Sequence, residues 1–543
     1  MNNPHRDDQL LRRRNFLRGA GVLGAAAAGM TLLGDRLPTA HAQPADDLIS
    51  REYFDQLDLG LNNGNGNKEE TNDKDSSGLS GKLAWGEAYV LEGYALMYQS
   101  TGDTHYLDKM VDHIDHVLAN RDSERGVTDF SGASHPAWRA SHHQTVGYAT
   151  IRDTTGQPVF EVRSALAYAD DTTVTVTPTG GPGEFRLEAY NSHYDRTTIH
   201  EGLRTEGDNP QYAVERVRTG FQHEAPGRVL ITLRELRDEP QLVDVAATDY
   251  QLESLPYIFE AHTGQIVQPM ALFAKLVRED SRLRSNPTYA QRAEEYLAAA
   301  ADAIAVHDPE WRETDEGRGY YVTLPDAPVW HAGMDNPINH FLALGRAIVQ
   351  MATVTGDREY VDRATALGWT LRDSLVLDGS AYVWPYWLPQ GDAYNGWDID
   401  DPRSQYRPWY PPNQVPEDTS HGQIDVNFAR DYYRGLRSFR PGRRPPFAAA
   451  DMRRFAATYA DNVATTADDG SPSVFQFVDG TGNTELVSYA RQSLAWASLT
   501  PWNDGVLSHG RDLLNAGVTD SFPSSLFCLA HVIYAAQNPN NPR

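Results

Sequence analysis

Met97 to Leu107 reads MYQSTGDTHYL, and Met351 to Val361 reads MATVTGDREYV. Both copies hold a Thr-Gly-Asp turn, a tyrosine three residues past the aspartate and an apolar residue after it. Glycine takes the left-handed conformation that ends one helix, and aspartate caps the next. Upstream of the first copy, Leu83 to Tyr98 is nearly apolar throughout, which reads as a helix buried on all sides. Downstream, Leu107, Met110, Val111, Ile114, Val117 and Leu118 follow the three-and-four spacing of a half-exposed helix. A buried helix followed by an amphipathic one is therefore a repeated unit. Similar pairs are read at Gln265 to Val306, at His421 to Val463 and from Tyr489 to the C-terminus, giving about five or six helical hairpins.

Alternating inner and outer helices in that number resemble the (α/α) toroid of the six-hairpin superfamily of polysaccharide lyases, glucuronyl epimerase-like proteins and glycosidases. The resemblance implies a mainly α fold in residues 81–147 and 246–543, and a carbohydrate substrate. An open solenoid of tetratricopeptide type fits less well, because its repeats are uniform and about 34 residues long. Between them, residues 148–245 interrupt the helical pattern. Val159, Phe160, Val162, the run Thr173 to Thr177, Phe185, Leu187 and Val229 to Leu233 have the content of strands, with turns at Gly156-Gln157-Pro158 and Gly180 to Gly183. This segment reads as an inserted β-rich, sandwich-like domain. Residues 43–80 read as a polar lead-in, whose Asn62 to Asn67 run does not follow the calcium-loop pattern.

Arg13-Arg14-Asn15-Phe16-Leu17-Arg18 resembles the core of a twin-arginine export signal, followed by an uncharged Gly and Ala stretch to Gly34 and by Ala40-His41-Ala42. Residues 1–42 are therefore expected to be a signal peptide, and the chain to be secreted or displayed on the envelope exterior. Replacing Arg13 and Arg14 with lysines is expected to leave uncleaved precursor inside the cell. Unchanged appearance of a product beginning near Gln43 in the culture fluid would refute this. The single cysteine, Cys528, allows no intramolecular disulfide. The net charge of −26 excludes nucleic acid and, after signal removal, anionic membrane as partners. The chain has no His-x-x-x-His and no cysteine pair, so neither metal nor other cofactor is expected.

In a closed ring the inner helices run parallel, and their N-terminal ends meet at one mouth, where function is expected. The first offers Trp85 and Glu87, the second Tyr257, Glu260 and His262, and the third His331, Asp335, Asn336, Asn339 and His340. The fourth offers Glu417, Asp418 and His421, with Asp425 one turn later on the same face, and the fifth Glu485, Tyr489 and Arg491. Trp384, Tyr386 and Trp387, with Trp397, Tyr406, Trp409 and Tyr410, form an aromatic stretch that can stack on sugar rings. Trp85, His331 and Asp418 join them as substrate-binding candidates.

Two chemistries use these residues. The first is proton abstraction beside a uronate carboxylate, by a lyase or an epimerase. Asn336 and Arg491 would hold the carboxylate, and His262, His421 or Tyr489 would serve as base and acid. The recurrence of histidine makes this the leading expectation. The second is hydrolysis by two carboxylates drawn from Glu87, Glu260, Asp335, Glu417 and Asp418. A non-catalytic carbohydrate-binding surface protein is a third class, separated from both by loss of the polar cluster at the mouth.

Overall fold

The computed structural model describes residues 45–73, 81–165, 168–220, 229–398, 410–436 and 444–541. The export motif, Tyr406 and Trp409 lie outside these residues. The described residues divide into two compact units, one from within 142–255 and 395–415, the other from within 45–141, 256–394 and 416–541.

The helical unit begins with α1 (Arg51–Gly60), followed by a π-helical turn Leu83–Glu87 that runs into α2 (Ala88–Thr101), and by α3 (His105–Ala119). The following pairs are α4 (Glu260–Glu279) with α5 (Pro287–Ala305), α6 (Ile338–Thr355) with α7 (Arg358–Ser374), and α8 (Thr419–Gly435) with α9 (Ala449–Ala457). Next come α10 (Val487–Ser493), prolonged as a 3-10 segment to Trp502, with α11 (Gly505–Asn515), and finally α12 (Pro523–Gln537). The helices α2, α4, α6, α8, α10 and α12 each pack on the next, and α12 returns to α2, so the ring is closed. This is an (α/α) toroid, with α1 packed on α12 as its outer partner.

The closure depends on close backbone approach at glycine. A Cβ on Gly264 of α4 would lie 2.2 Å from the Leu344 amide nitrogen of α6, and one on Gly93 of α2 would lie 3.3 Å from the Leu526 carbonyl carbon of α12. The inner helices run parallel. Near their starts, the Trp85 indole meets His262 and Asn339 meets Glu417; near their ends, Tyr98 meets Asp280, Arg278 meets Val354 and Gln350 meets Asp431.

The two Thr-Gly-Asp turns have almost the same geometry. Gly102 and Gly356 both sit at φ 70°, and Thr101 and Thr355 bond back to the carbonyls of Met97 and Met351 at 2.7 and 2.6 Å. Asp103 and Asp357 accept from the amides two residues on, at 2.9 and 2.8 Å. Both turns end inner helices and lie on the face opposite the inner N-termini. The lead-in differs from expectation. Residues 51–60 form a helix capped by Ser50, with Phe54 and Leu57 buried, because Tyr53, Phe54 and Leu57 already have helical spacing.

The other unit is a sandwich of two antiparallel sheets. One has the order β6 (Ile231–Glu235), β2 (Pro158–Ser164), β1 (Gly147–Arg152), β8 (Glu253–Ser254); the other β5 (Arg196–Arg204), β4 (Glu184–Asn191), β3 (Thr172–Pro178), β7 (Thr248–Gln251). Phe160 and Val162 from one sheet share a core with Val174, Val176, Phe185 and Leu187 from the other. The polar strand β7 extends this unit past residue 245, because cross-strand bonds to β3 hold it where no apolar alternation marks it.

Candidate active site

The segment entering α8 is pinned as a strand before it becomes a helix. The Glu417 amide donates to the Trp384 carbonyl at 2.8 Å, the Val478 amide to the Glu417 carbonyl at 3.0 Å, and the Thr419 amide to the Gln476 carbonyl at 2.8 Å. Asp418 then caps α8, accepting from the amides of Ser420 and His421 at 2.8 and 3.0 Å. Its second oxygen accepts from His421 Nδ1 at 2.5 Å, so one carboxylate holds both the helix start and the imidazole.

Glu417 and Asp418 are neighbours in sequence with opposite electrostatics. Glu417 is fully buried, and burial, followed by the charges of Asp425 and Asp418, holds its carboxyl well above the usual carboxylate range. It accepts from Asn339 Nδ2 at 3.0 Å and from the Asp418 amide at 2.9 Å. Burial also opposes the charge on Asp418, but the His421 cation beside it wins and its pKa is lowered. Asp425 is buried on the next turn of α8, and burial holds its carboxyl above the ordinary range despite the bond from Trp384 Nε1 at 2.7 Å.

For His421, burial disfavours the cation. The Asp418 charge and hydrogen bond, helped by Glu417, outweigh burial and push the imidazole up to about 9. The stabilisation from this pairing is fully present below the unfolded histidine pKa of about 6.5 and is lost as pH rises through the folded value. An NMR titration of the His421 ring is expected to have its midpoint near 9, falling toward the ordinary value in Asp418→Asn. An ordinary midpoint in the unsubstituted protein would refute the pairing.

Around this core the structure gathers residues from four more ring helices and their loops. Trp85 donates from Nε1 to His262 Nε2 at 2.9 Å and stands edge-on to the His421 ring at 6.3 Å. Tyr386 is edge-on to His421 at 6.2 Å, and Trp387 lies 6.2 Å from His331. His340 is held well below its ordinary pKa by burial and then by the neighbouring His421, His331 and His262, so these four imidazoles share one neighbourhood. Tyr489 lies within the fields of Asp418 and Glu417, with burial raising its phenol.

Several expected residues are placed otherwise. Glu87 accepts from His113 Nδ1 at 2.6 Å and from the Asn67 amide at 2.5 Å, facing α3 rather than the mouth. Arg491 donates to the Val518 carbonyl at 3.0 Å and to Asp520 at 3.1 Å, and lies over Phe522. Trp384, Tyr386 and Trp387 are buried, so they form part of the wall rather than an open stacking surface. Glu260 is buried with no partner on either oxygen, and burial followed by Glu310 pushes it up to about 8. Asp335 is pushed by burial up to about 6 and accepts from the Asp392 amide at 2.7 Å. Asn336 is buried with neither side-chain atom partnered. The bonds from Asn339 to Glu417 and from Trp384 to Asp425 were not foreseen. They span 78 and 41 residues of chain, and no local pattern signals them.

Among the described residues, Glu417, Asp418 and His421 are the group whose ligand atoms come within 4.8 Å of one another. In this group His421 Nδ1 and an Asp418 oxygen are bonded to each other, so a cation would have to displace the proton between them.

No family model and no curated protein matches the chain. Two solved structures are similar to it. An inactive double aspartate-to-alanine variant of an alpha-1,6-mannanase of Salegentibacter sp. HEL1_6, in complex with alpha-1,6-mannotetrose, has 10% identity and a TM-score of 0.42, covering 91% of this chain and 99% of that one. A family 76 glycoside hydrolase from a bovine Bacteroides thetaiotaomicron strain has 12% identity and a TM-score of 0.28, covering 68% and 77%. At these scores the functional reading rests on the geometry of the ring mouth.

Proposed function

We propose that the chain is an exported glycoside hydrolase whose ring mouth places a glycosidic bond against Glu417 and Asp418. One observation carries this reading: two adjacent buried carboxyl groups stand in opposite surroundings, Glu417 in the apolar interior beside Asp418 and Asp425, which favours its protonated form, and Asp418 against the His421 imidazole, which favours its ionised form, as an acid and its partner are set up in one site. Glu417 gives its proton to the leaving oxygen as the bond to the anomeric carbon breaks. Asp418 takes the anomeric carbon in a covalent bond, and water, deprotonated by Glu417, then releases the sugar and restores both groups. Trp85, Tyr386 and the imidazoles supply an amphipathic wall for sugar faces.

Elimination from a uronate, the leading expectation from sequence, fits this site less well. His421 is cationic at neutral pH and has no lone pair with which to abstract a proton. Arg491, needed for the uronate carboxylate, is engaged by the 518–522 loop. His262 Nε2 accepts from Trp85, and the Tyr489 phenol is shifted further from ionisation.

Incubating the purified protein with neutral and acidic glycans, while following reducing ends and the ultraviolet absorbance of an unsaturated uronate together, separates the readings. New reducing ends without new absorbance are expected. Absorbance rising with the reducing ends would establish elimination and overturn the proposal.

A further inference from the structure

Trp85 keeps part of its surface exposed at the ring mouth, whereas Trp384, Tyr386 and Trp387 are buried. It sits in the π-helical turn Leu83–Glu87, where the Glu87 amide donates to the Lys82 carbonyl, five residues back, at 2.9 Å. Single π turns inside helices recur at functional sites, and their wider step re-aims the side chains they carry. Here Glu87 meets His113 of α3, while the Trp85 indole meets His262 of α4. The indole stands nearly perpendicular to the His262 ring, at 85°, and to the His421 ring, at 88°, with centroids 5.8 and 6.3 Å away.

The donors around His262 decide where its proton sits. An indole nitrogen only donates, so the 2.9 Å bond from Trp85 Nε1 requires a lone pair on His262 Nε2. The ring is then neutral, with its hydrogen on Nδ1. On its other side lies Asn72, a buried residue of the lead-in segment. The Asn72 oxygen accepts from the Leu83 amide at 3.0 Å, which fixes the orientation of the side chain and leaves Nδ2 facing His262 Nδ1 at 3.4 Å. Donors thus face both ring nitrogens. A second proton on the imidazole would break the Trp85 bond and oppose N–H to N–H on both sides.

We infer that His262 is a positioning residue, a neutral imidazole protonated on Nδ1 whose Nε2 lone pair holds the Trp85 indole as the platform for the sugar next to the cleaved bond. The platform role rests on the hydrolase reading, and the tautomer does not. His421, at 6.3 Å from the indole, is bonded to Asp418, so a sugar stacked on Trp85 lies one imidazole away from the carboxyl pair. Without the bond to Nε2, ordering the indole would be charged to substrate binding. Asn72 belongs to the segment ahead of the first inner helix, so the lead-in takes part in the site through His262.

Nitrogen NMR of the full chain carrying isotope-labelled histidine rings reads the tautomer directly. At neutral pH the His262 signals, assigned by their loss in His262→Gln, are expected to show a bare Nε2 and a protonated Nδ1. In Trp85→Phe this fixed pattern should give way to averaged nitrogens. A protonated Nε2 in the unsubstituted protein would overturn the inference. Function is read with His262→Phe, which removes the acceptor, and with His262→Gln, whose side-chain oxygen can take the place of Nε2. On the glycan hydrolysed in the assay above, His262→Phe is expected to raise KM about tenfold, the scale of one fixed hydrogen bond, with a smaller change in kcat. Gln should recover most of that loss. Equal KM values throughout, or a loss confined to kcat, would overturn the platform role. Trp85→Phe, which keeps an aromatic face and loses the N–H, gives the same test if His262→Phe does not fold: KM should rise, and an unchanged KM counts against the role. Failure to hydrolyse any glycan would sink the hydrolase reading. Affinity electrophoresis through gels of neutral mannan, glucan and xylan then tests the platform, which predicts retardation of the unsubstituted protein that His262→Phe loses. No retardation in any gel would overturn it.

Discussion

Glu417→Gln is expected to lower turnover of a natural glycan by about a hundred- to ten-thousandfold, the range for losing a positioned general acid. The fold is expected to survive. Gln is nearly isosteric, and its carbonyl can still accept from Asn339 or from the Asp418 amide, which bond different oxygens of Glu417. KM is expected to change little, since the aromatic and imidazole wall is untouched, and steady-state kinetics beside a circular dichroism spectrum check both points. Activity within tenfold of the unsubstituted protein would remove Glu417 from the chemistry. The imidazole gives a contrasting case. His421 acts through Asp418, holding it ionised, so its loss should shift the acidic side of the pH profile.

The largest stability effect is expected midway along the inner helices. Arg346 on α6 is fully buried, donates to Glu92 on α2 at 2.5 Å and lies 3.9 Å from Asp431 on α8. Burial opposes ionisation of Glu92, but the arginine holds it down to about 2. Removing the guanidinium leaves Glu92 buried without its arginine, while Asp431 keeps Arg430 at 2.6 Å, so Arg346→Ala is expected to destabilise the fold by about 3 to 5 kcal/mol. Chemical denaturation measures this directly. The double variant Arg346→Met with Glu92→Gln should recover part of the loss, because the uncompensated Glu92 charge goes with the arginine. A single variant as stable as the parent would mean that this ion pair does not tie the inner helices together.

The architecture was legible where the signal was local. A glycine that ends one helix and an aspartate that caps the next are set by adjacent residues, and the turns at Thr101 and Thr355 agree down to the glycine dihedral. The Pro416 to Gly422 segment was legible for the same reason, since its cap and its imidazole belong to one helix start. Glu87 shows where such reading stops. Leu83 to Tyr98 is apolar on every side, so periodicity gives no phase to say which way a single acid points. The π-helical turn Leu83–Glu87 further changes the angular step, and Glu87 faces His113. Arg491 lies in the last turn of a short inner helix rather than at its start, and the distant 518–522 loop captures its guanidinium. Trp384 was read as a sugar platform because aromatics beside proline suggest an exposed loop. Its indole instead donates inward to Asp425, a contact fixed by ring closure rather than by its neighbours in sequence.

The dependence of Glu417→Gln on leaving-group quality tests the central claim most directly. An aryl glycoside with a dinitrophenyl leaving group, made from whichever sugar the glycan assay identifies, needs no proton to depart, whereas a sugar leaving group does. If Glu417 is the acid, Glu417→Gln retains most of its activity on the activated glycoside while losing about a hundredfold or more on the natural bond. Equal losses on both substrates would contradict the account.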